Sequence, residues 1–222
     1  MRAFDEIHDL AVLQAGSAER IEQGLQDPLS AAQLAAIPDD RWLAAITKRV
    51  FQAGFVWRVI ANKWPGFEAA FEGFDPGRWM MMSDEDLDRL LADPRVVRNA
   101  QKIMSVPGNA RMIVDVSGEY GGFGRFIANW PDDDYVGLLA FLKKYGSRLG
   151  GNSAQYLLRF MGKDAFILTD DVIRALIRES VVDKPPASKS AIAAVQAAFN
   201  QWRAQSGRPF NHISRILAFS AG

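Results

Sequence analysis

The chain has 222 residues, 49% of them hydrophobic, with 26 basic and 26 acidic side chains and no cysteine. That supplies enough apolar surface for a buried core or two small lobes, and it excludes disulfides, a thiolate metal site and a cysteine nucleophile. His8 and His212 are the only histidines, which leaves no histidine-rich metal site, and a formal charge of zero argues mildly against nucleic acid unless a basic face is set apart locally. No cofactor is expected from this composition. The opening Arg2-Ala3-Phe4-Asp5-Glu6 is polar, so no secretory leader is expected, and no apolar run reaches the ~20 residues of a membrane span. A reducing, cytoplasmic setting and a monomer are the corresponding expectations.

Residues 1–25 read as one amphipathic helix (Ile7, Leu10, Leu13, Ile21) that Gly16-Ser17 can interrupt. Ser30 caps a short helix carrying Leu34 and Ile37. From Asp40 the spacing of Trp42, Leu43, Ile46, Val50, Phe51, Trp57 and Ile60 predicts a single helix to about Trp64, closed by Pro65-Gly66. Residues 67–74 form another short helix. Ser83 caps a helix within residues 80–91, and Asp84-Glu85-Asp86 suits its positive start. Met80-Met81-Met82 reads as core filling. Residues 96–106 alternate apolar and basic; residues 109–116 continue helically past Pro107-Gly108. Phe123, Phe126, Ile127 and Trp130 make a short aromatic helix. Helices follow at residues 135–145, from the glycine turn at about Ser153 with Leu157, Leu158 and Met161 on one face, at 172–178, from the Ser188 cap to about Ala204, and at 211–219. Strand signals are nearly absent, so the class is all-α.

The stretch Arg148-Leu149-Gly150-Gly151-Asn152-Ser153-Ala154 joins two of these helices. Its glycines permit φ > 0 and close backbone approach, and amides at the start of the second helix can cradle a phosphate. Twenty positions after Gly150 the pair Asp170-Asp171 opens another helix. An ordinary turn followed by an aspartate N-cap accounts for the same residues. The arrangement resembles the helix-hairpin-helix DNA glycosylase superfamily. That resemblance implies a hairpin that grips duplex backbone, with the turn at residues 149–152, and an aspartate near a flipped nucleotide. Lys143, Lys144, Arg148, Gly150, Asn152 and Ser153 are the expected backbone contacts, a solvated basic face being the plainer alternative.

A second set of residues sharpens the resemblance. Gln52-Ala53-Gly54-Phe55-Val56-Trp57, Phe74-Asp75-Pro76, the acidic start at Asp84-Glu85-Asp86, Lys102-Ile103 and Asn109-Ala110 follow the order and spacing of 3-methyladenine DNA glycosylase I, over residues 40–176. It implies one helical glycosylase-like domain over residues 1–222, with a hairpin lobe at about 40–176 and the terminal helices packing as a second lobe. A base-binding cleft lies between two helical lobes in that family. The implied activity is hydrolysis of the N-glycosidic bond of alkylated or damaged purines such as 3-methyladenine, on double-stranded DNA. Three departures stand out. The family's structural zinc uses two cysteines and two histidines, but here there is no cysteine and Asp171 stands at the second histidine position. The zinc is therefore expected to be missing. The N-terminal aromatic that sandwiches the base has no counterpart. The glutamate three residues before Gln52 is here Arg49.

Glycosidic hydrolysis develops positive charge on the sugar, which a carboxylate stabilises. Asp170 is the first choice, by its spacing from Gly150 and by Ile173 three residues on. Asp171 is the alternative, because Lys163-Asp164-Ala165-Phe166 followed by Asp170-Asp171 also resembles alkyladenine-type enzymes whose acid is the second of a pair. One of the two is expected to cap the helix and the other to face the site. Bifunctional relatives carry a lysine where Asn152 stands, so hydrolysis without lyase chemistry follows. Trp57, Phe55 and Trp130 are candidate faces for the base, Trp42 being the better core residue, and Gln52 offers an amide that can read a base edge. Arg49, expected on the same helix as Trp57, points either to an acid such as Asp170 or to a base that is itself neutral. The competing readings are a catalytically drifted DNA-binding protein of the same fold and a helical protein-interaction module.

Overall fold

Fifteen α-helices and two 3₁₀ turns, with no strand, make up the computed structural model, which describes residues 1–222. In chain order they are α1 (Phe4–Ala15), α2 (Ala18–Glu22), α3 (Ala31–Ala35), α4 (Asp39–Gln52), α5 (Trp57–Ala70), α6 (Pro76–Trp79), α7 (Asp84–Ala92), α8 (Ala100–Ile103), α9 (Ser105–Tyr120), α10 (Phe123–Asn129), α11 (Tyr135–Tyr145), α12 (Asn152–Phe160), α13 (Asp170–Arg178), α14 (Lys189–Ser206) and α15 (Phe210–Ser220). The chain divides into two units, and it passes from one to the other inside α11 and inside α12. One unit holds residues 1–29, 131–138 and 158–222; the other holds residues 30–130 and 139–157.

In the first unit α1, α13 and α14 pack against α15. Ile7, Ala11, Phe199, Ile213 and Ile216 are buried there. The Phe166 ring stacks on Phe199 at 4.1 Å, and Phe210 meets Phe199 edge-on at 5.8 Å. The buried Glu179 carboxylate is paired with Arg2 at 2.7 Å and Arg178 at 2.8 Å, as a carboxylate taken from water requires.

In the second unit α9 lies against α4, α6 and α10, and α10 also packs on α3. Gly124 makes that last approach possible: a Cβ there would sit 2.5 Å from the Leu34 carbonyl oxygen and 2.9 Å from that of Ile37. A column of rings fills the core behind α5. Phe71 stacks on Phe74 at 4.9 Å, Trp64 on Phe74 at 5.5 Å, and Trp79 tilts onto Phe71 at 4.9 Å while its Nε1 donates to the Phe71 carbonyl at 2.6 Å. Trp42 is wholly buried against Phe123.

Several elements differ from their sequence expectation. Residues 1–25 form two helices, because Gly16 adopts φ +85° and Ser17 caps α2. The expected helix from Asp40 to Trp64 is two helices separated at residues 53–56, so Arg49 and Trp57 stand on different helices. Pro65 does not close α5. It sits inside the helix, which runs on to Ala70, so residues 67–70 belong to α5 and only Glu72–Phe74 form a 3₁₀ turn. Residues 96–106 hold only the single turn α8 before α9 starts at Ser105 and carries Pro107 in its first turn, where a proline's missing N–H costs nothing. Neither aspartate caps α13. Thr169 does, accepting from the Val172 N–H at 3.3 Å, and both aspartates lie in the first turn. Met81 is 66% exposed and fills no core.

Candidate base pocket and nucleic-acid interface

The second unit contains a pocket of about 260 Å³ lined by Arg49, Gln52, Ala53, Gly54, Phe55, Trp57, Asn152, Ser153 and Tyr156. One wall is the end of α4 and the start of α5; the other is the first turn of α12, just after the hairpin turn. Trp57 remains 41% exposed and Phe55 44%. The Trp57 ring meets Tyr156 edge-on at 5.1 Å, and the Arg49 guanidinium lies 5.2 Å from the Trp57 centroid, in cation–π contact. Burial alone lowers the Arg49 pKa, yet a guanidinium stays charged at any working pH. Gln52 is 5% exposed.

Both walls are held by residues of the α8–α9 segment. The buried Lys102 ammonium donates to the Phe51 carbonyl at 3.0 Å and the Ala53 carbonyl at 2.6 Å, and it sits 4.9 Å from the Phe55 ring centroid. It thereby satisfies carbonyls that the end of α4 leaves without partners and suits the negative end of that helix. Burial, and then the nearby Arg148, lower the Lys102 pKa. Asn109, wholly buried, clamps the hairpin turn from both sides: its Oδ1 accepts from the Ser147 N–H at 2.7 Å and its Nδ2 donates to the Ser147 carbonyl at 3.0 Å. These contacts give physical content to the Lys102-Ile103 and Asn109-Ala110 motifs. Sequence reading named both and assigned neither a task; Tyr156 it missed altogether.

The hairpin is α11, a turn over residues 146–151, and α12. Gly146 is required here, since a Cβ would lie 2.6 Å from both the Leu142 carbonyl oxygen and Leu149 Cδ1. Arg148 takes φ +61°, and its guanidinium is engaged by the Gln101 carbonyl at 3.2 Å and Gln101 Oε1 at 2.8 Å. Lys143, Lys144, Gly151 and Asn152 are exposed, while Gly150 and Ser153 are partly so. Trp130 does not line the pocket; it packs on Phe126 at 5.4 Å and Phe141 at 5.8 Å.

Asp170 and Asp171 belong to the first unit. Asp170 is exposed, whereas Asp171 is ion-paired with Arg174 at 2.5 Å, one turn on along the same helix. The family's zinc does not fit these residues: no three His, Asp or Glu side chains converge, and Asp171 is committed to that arginine. His8 and His212 instead face Glu22 at 3.9 Å and Asp27 at 3.1 Å.

The sequence pattern of the methyladenine glycosylase family matches residues 36–137. The chain is 31% identical over 112 residues to DNA-3-methyladenine glycosylase 1 of Escherichia coli strain K12, covering 46% of this chain and 58% of that relative's length. Among solved structures it is similar to 3-methyladenine DNA glycosylase I of Staphylococcus aureus, with TM-score 0.52 and 24% identity over 62% of this chain and 80% of that one. It is also similar to the 8-oxoguanine glycosylase/lyase of Methanocaldococcus jannaschii, solved with DNA, with TM-score 0.54 and 10% identity over 96% of both chains. The helical architecture and the hairpin, together with these likenesses, define a helix-hairpin-helix DNA glycosylase fold. The sequence likeness to 3-methyladenine DNA glycosylase I is concentrated in the segment that builds the pocket wall, and the chain spans little more than half the length of the Escherichia coli relative.

Proposed function

We propose that the protein is a monofunctional DNA glycosylase of base excision repair, which binds duplex DNA and hydrolyses the N-glycosidic bond of alkylated or otherwise damaged purines, the relatives being named for 3-methyladenine. The observation that carries this reading is the pocket beside the hairpin, with Trp57 exposed on one wall and the first turn of α12 on the other. An enzyme that acts on a base takes it out of the stack, so it needs a pocket with an aromatic face. Exposed Lys143 and Lys144, with the α12 amides, supply salt-dependent contact to phosphates. Arg148 contributes less, since Gln101 holds its guanidinium.

Asp170 is our choice for the carboxylate that stabilises the oxocarbenium sugar and orients water. Its exposure, against the pairing of Asp171 with Arg174, supports that order. The bond from the sugar to the base nitrogen breaks and its electron pair leaves with the base. A water oxygen bonds the sugar carbon and gives up its proton to the carboxylate. Asn152 cannot form a Schiff base, so the strand stays intact.

The test uses genomic DNA, one sample methylated and one deaminated by nitrous acid, with chromatography of any free base. Release of a purine from either supports the reading; no release from both contradicts it. Arg49 favours a second reading, a DNA-binding protein whose pocket has drifted. It predicts binding to a duplex with an abasic-site mimic and no release.

A further inference from the structure

Arg49 and Gln52 stand three residues apart on α4 and so share one face of the helix. Both line the pocket beside Trp57. Arg49 brings a permanent positive charge to that wall. Its guanidinium already lies against the Trp57 ring at 5.2 Å, so the aromatic face offers a second cation little further attraction. Gln52 is 5% exposed, and its buried Oε1 has no hydrogen-bond partner within the protein. A buried acceptor left without a donor costs free energy until a ligand supplies one. The wall therefore carries a fixed cationic donor and a waiting acceptor side by side. Turned over, the amide would place a donor there, which suits a cationic ring no better but would favour a ring acceptor over a ring N–H.

Resting on the glycosylase reading above, we infer that this pocket selects a neutral purine with a lactam edge, a ring N–H beside a C=O, over an N-alkylated cationic purine. Gln52 accepts from the ring N–H, Arg49 donates to the carbonyl oxygen, and Trp57 covers one face. A cationic base meets repulsion from Arg49. Adenine presents a ring acceptor to the Gln52 acceptor and is refused on the same edge. Hypoxanthine, the deamination product of adenine, is the simplest purine that fits. Undamaged guanine shares the edge but stays paired and stacked, whereas a mispaired lactam base leaves the duplex at lower cost.

The test is calorimetric titration of the full chain with 9-methylhypoxanthine, a neutral lactam, and with 3,9-dimethyladeninium, a permanent cation of similar size. Single-turnover release from duplexes carrying one hypoxanthine or one 3-methyladenine runs in parallel. The lactam probe is expected to bind at least roughly tenfold tighter than the cation. Arg49→Glu should reverse that order, Arg49→Met should flatten it, and Gln52→Met should weaken the lactam probe alone, with melting curves confirming that each variant is folded. A cationic probe that binds as tightly as the lactam overturns the inference. So does an order unchanged in both Arg49 variants, or no binding of either probe. Preferred release of 3-methyladenine overturns it while leaving the glycosylase reading intact. Where neither duplex releases a base, the titrations alone decide the pocket's preference, and the methylated and deaminated genomic DNA decides the glycosylase reading.

Discussion

Phe67, Phe71, Phe74 and Trp79 are wholly buried and packed ring on ring, while Phe55 and Trp57, a short way back along the chain, are 44% and 41% exposed. Both groups come from one apolar-rich stretch, and composition does not separate them. Their surroundings do. These four rings are wholly buried, and their one polar group, Trp79 Nε1, donates to a backbone carbonyl. The exposed pair borders a pocket with Arg49, Gln52 and the start of α12, and Lys102 holds the backbone beneath it. Rings left in water next to a cation and an amide forgo the burial that stabilises their neighbours. That contrast marks the first group as scaffold and leaves the second as the surface to which the proposed function assigns the base.

The contrast breaks if the two groups respond alike to truncation. Phe71→Ala removes a ring from the centre of the column and should cost about 3–5 kcal/mol of stability, read as a large fall in Tm or denaturant midpoint. Asn109→Ala frees the hairpin turn from its two backbone contacts. It should cost about 1–3 kcal/mol and weaken duplex binding, which a filter-binding titration would detect. Trp57→Ala should cost about 1 kcal/mol of stability or less, because the ring is half in water, yet it should slow single-turnover base release more than it weakens binding of undamaged duplex. A Tm loss for Trp57→Ala as large as that for Phe71→Ala would make the exposed ring structural.

The smallest expected effect is electrostatic and lies at the edge of the scaffold. Arg78, the Ser83 N–H and Arg89 hold the Asp86 carboxyl well below the usual carboxylate range. A depressed folded pKa contributes stability that is complete above the unfolded value, near ~3.9, and is lost as pH falls toward the folded one. Asp86→Asn should therefore remove about 1 kcal/mol at neutral pH. It should also flatten the acid limb of the stability curve below that pH while leaving base release unchanged.

Much of this was legible in the sequence where the cause is local. The Ser83 and Ser188 caps, the span of α11 and the all-α class follow from side chains acting on their own helix. The break between α4 and α5 was not, since the apolar spacing continues across it. The carbonyls exposed by that break are satisfied by Lys102, which is 49 residues away from Ala53. The same holds for Asn109, whose partner Ser147 lies 38 residues on, and for Tyr156, which meets Trp57 only after folding. Arg49, Gln52, Phe55 and Trp57 could be named together because they fall within nine residues. Spacing from Gly150 already puts Asp170 ahead of Asp171, and the pairing of Asp171 with Arg174 supports the same order.

The function proposed above gives the carboxylate that drives base release to Asp170. The direct measurement is single-turnover base release by Asp170→Asn on the damaged duplex that the wild-type protein processes fastest, together with the affinity of that variant for the same duplex. Because the change removes charge and keeps volume, release should fall by roughly 10²–10⁴-fold while binding stays within a few-fold. Unaltered release by Asp170→Asn would contradict the account.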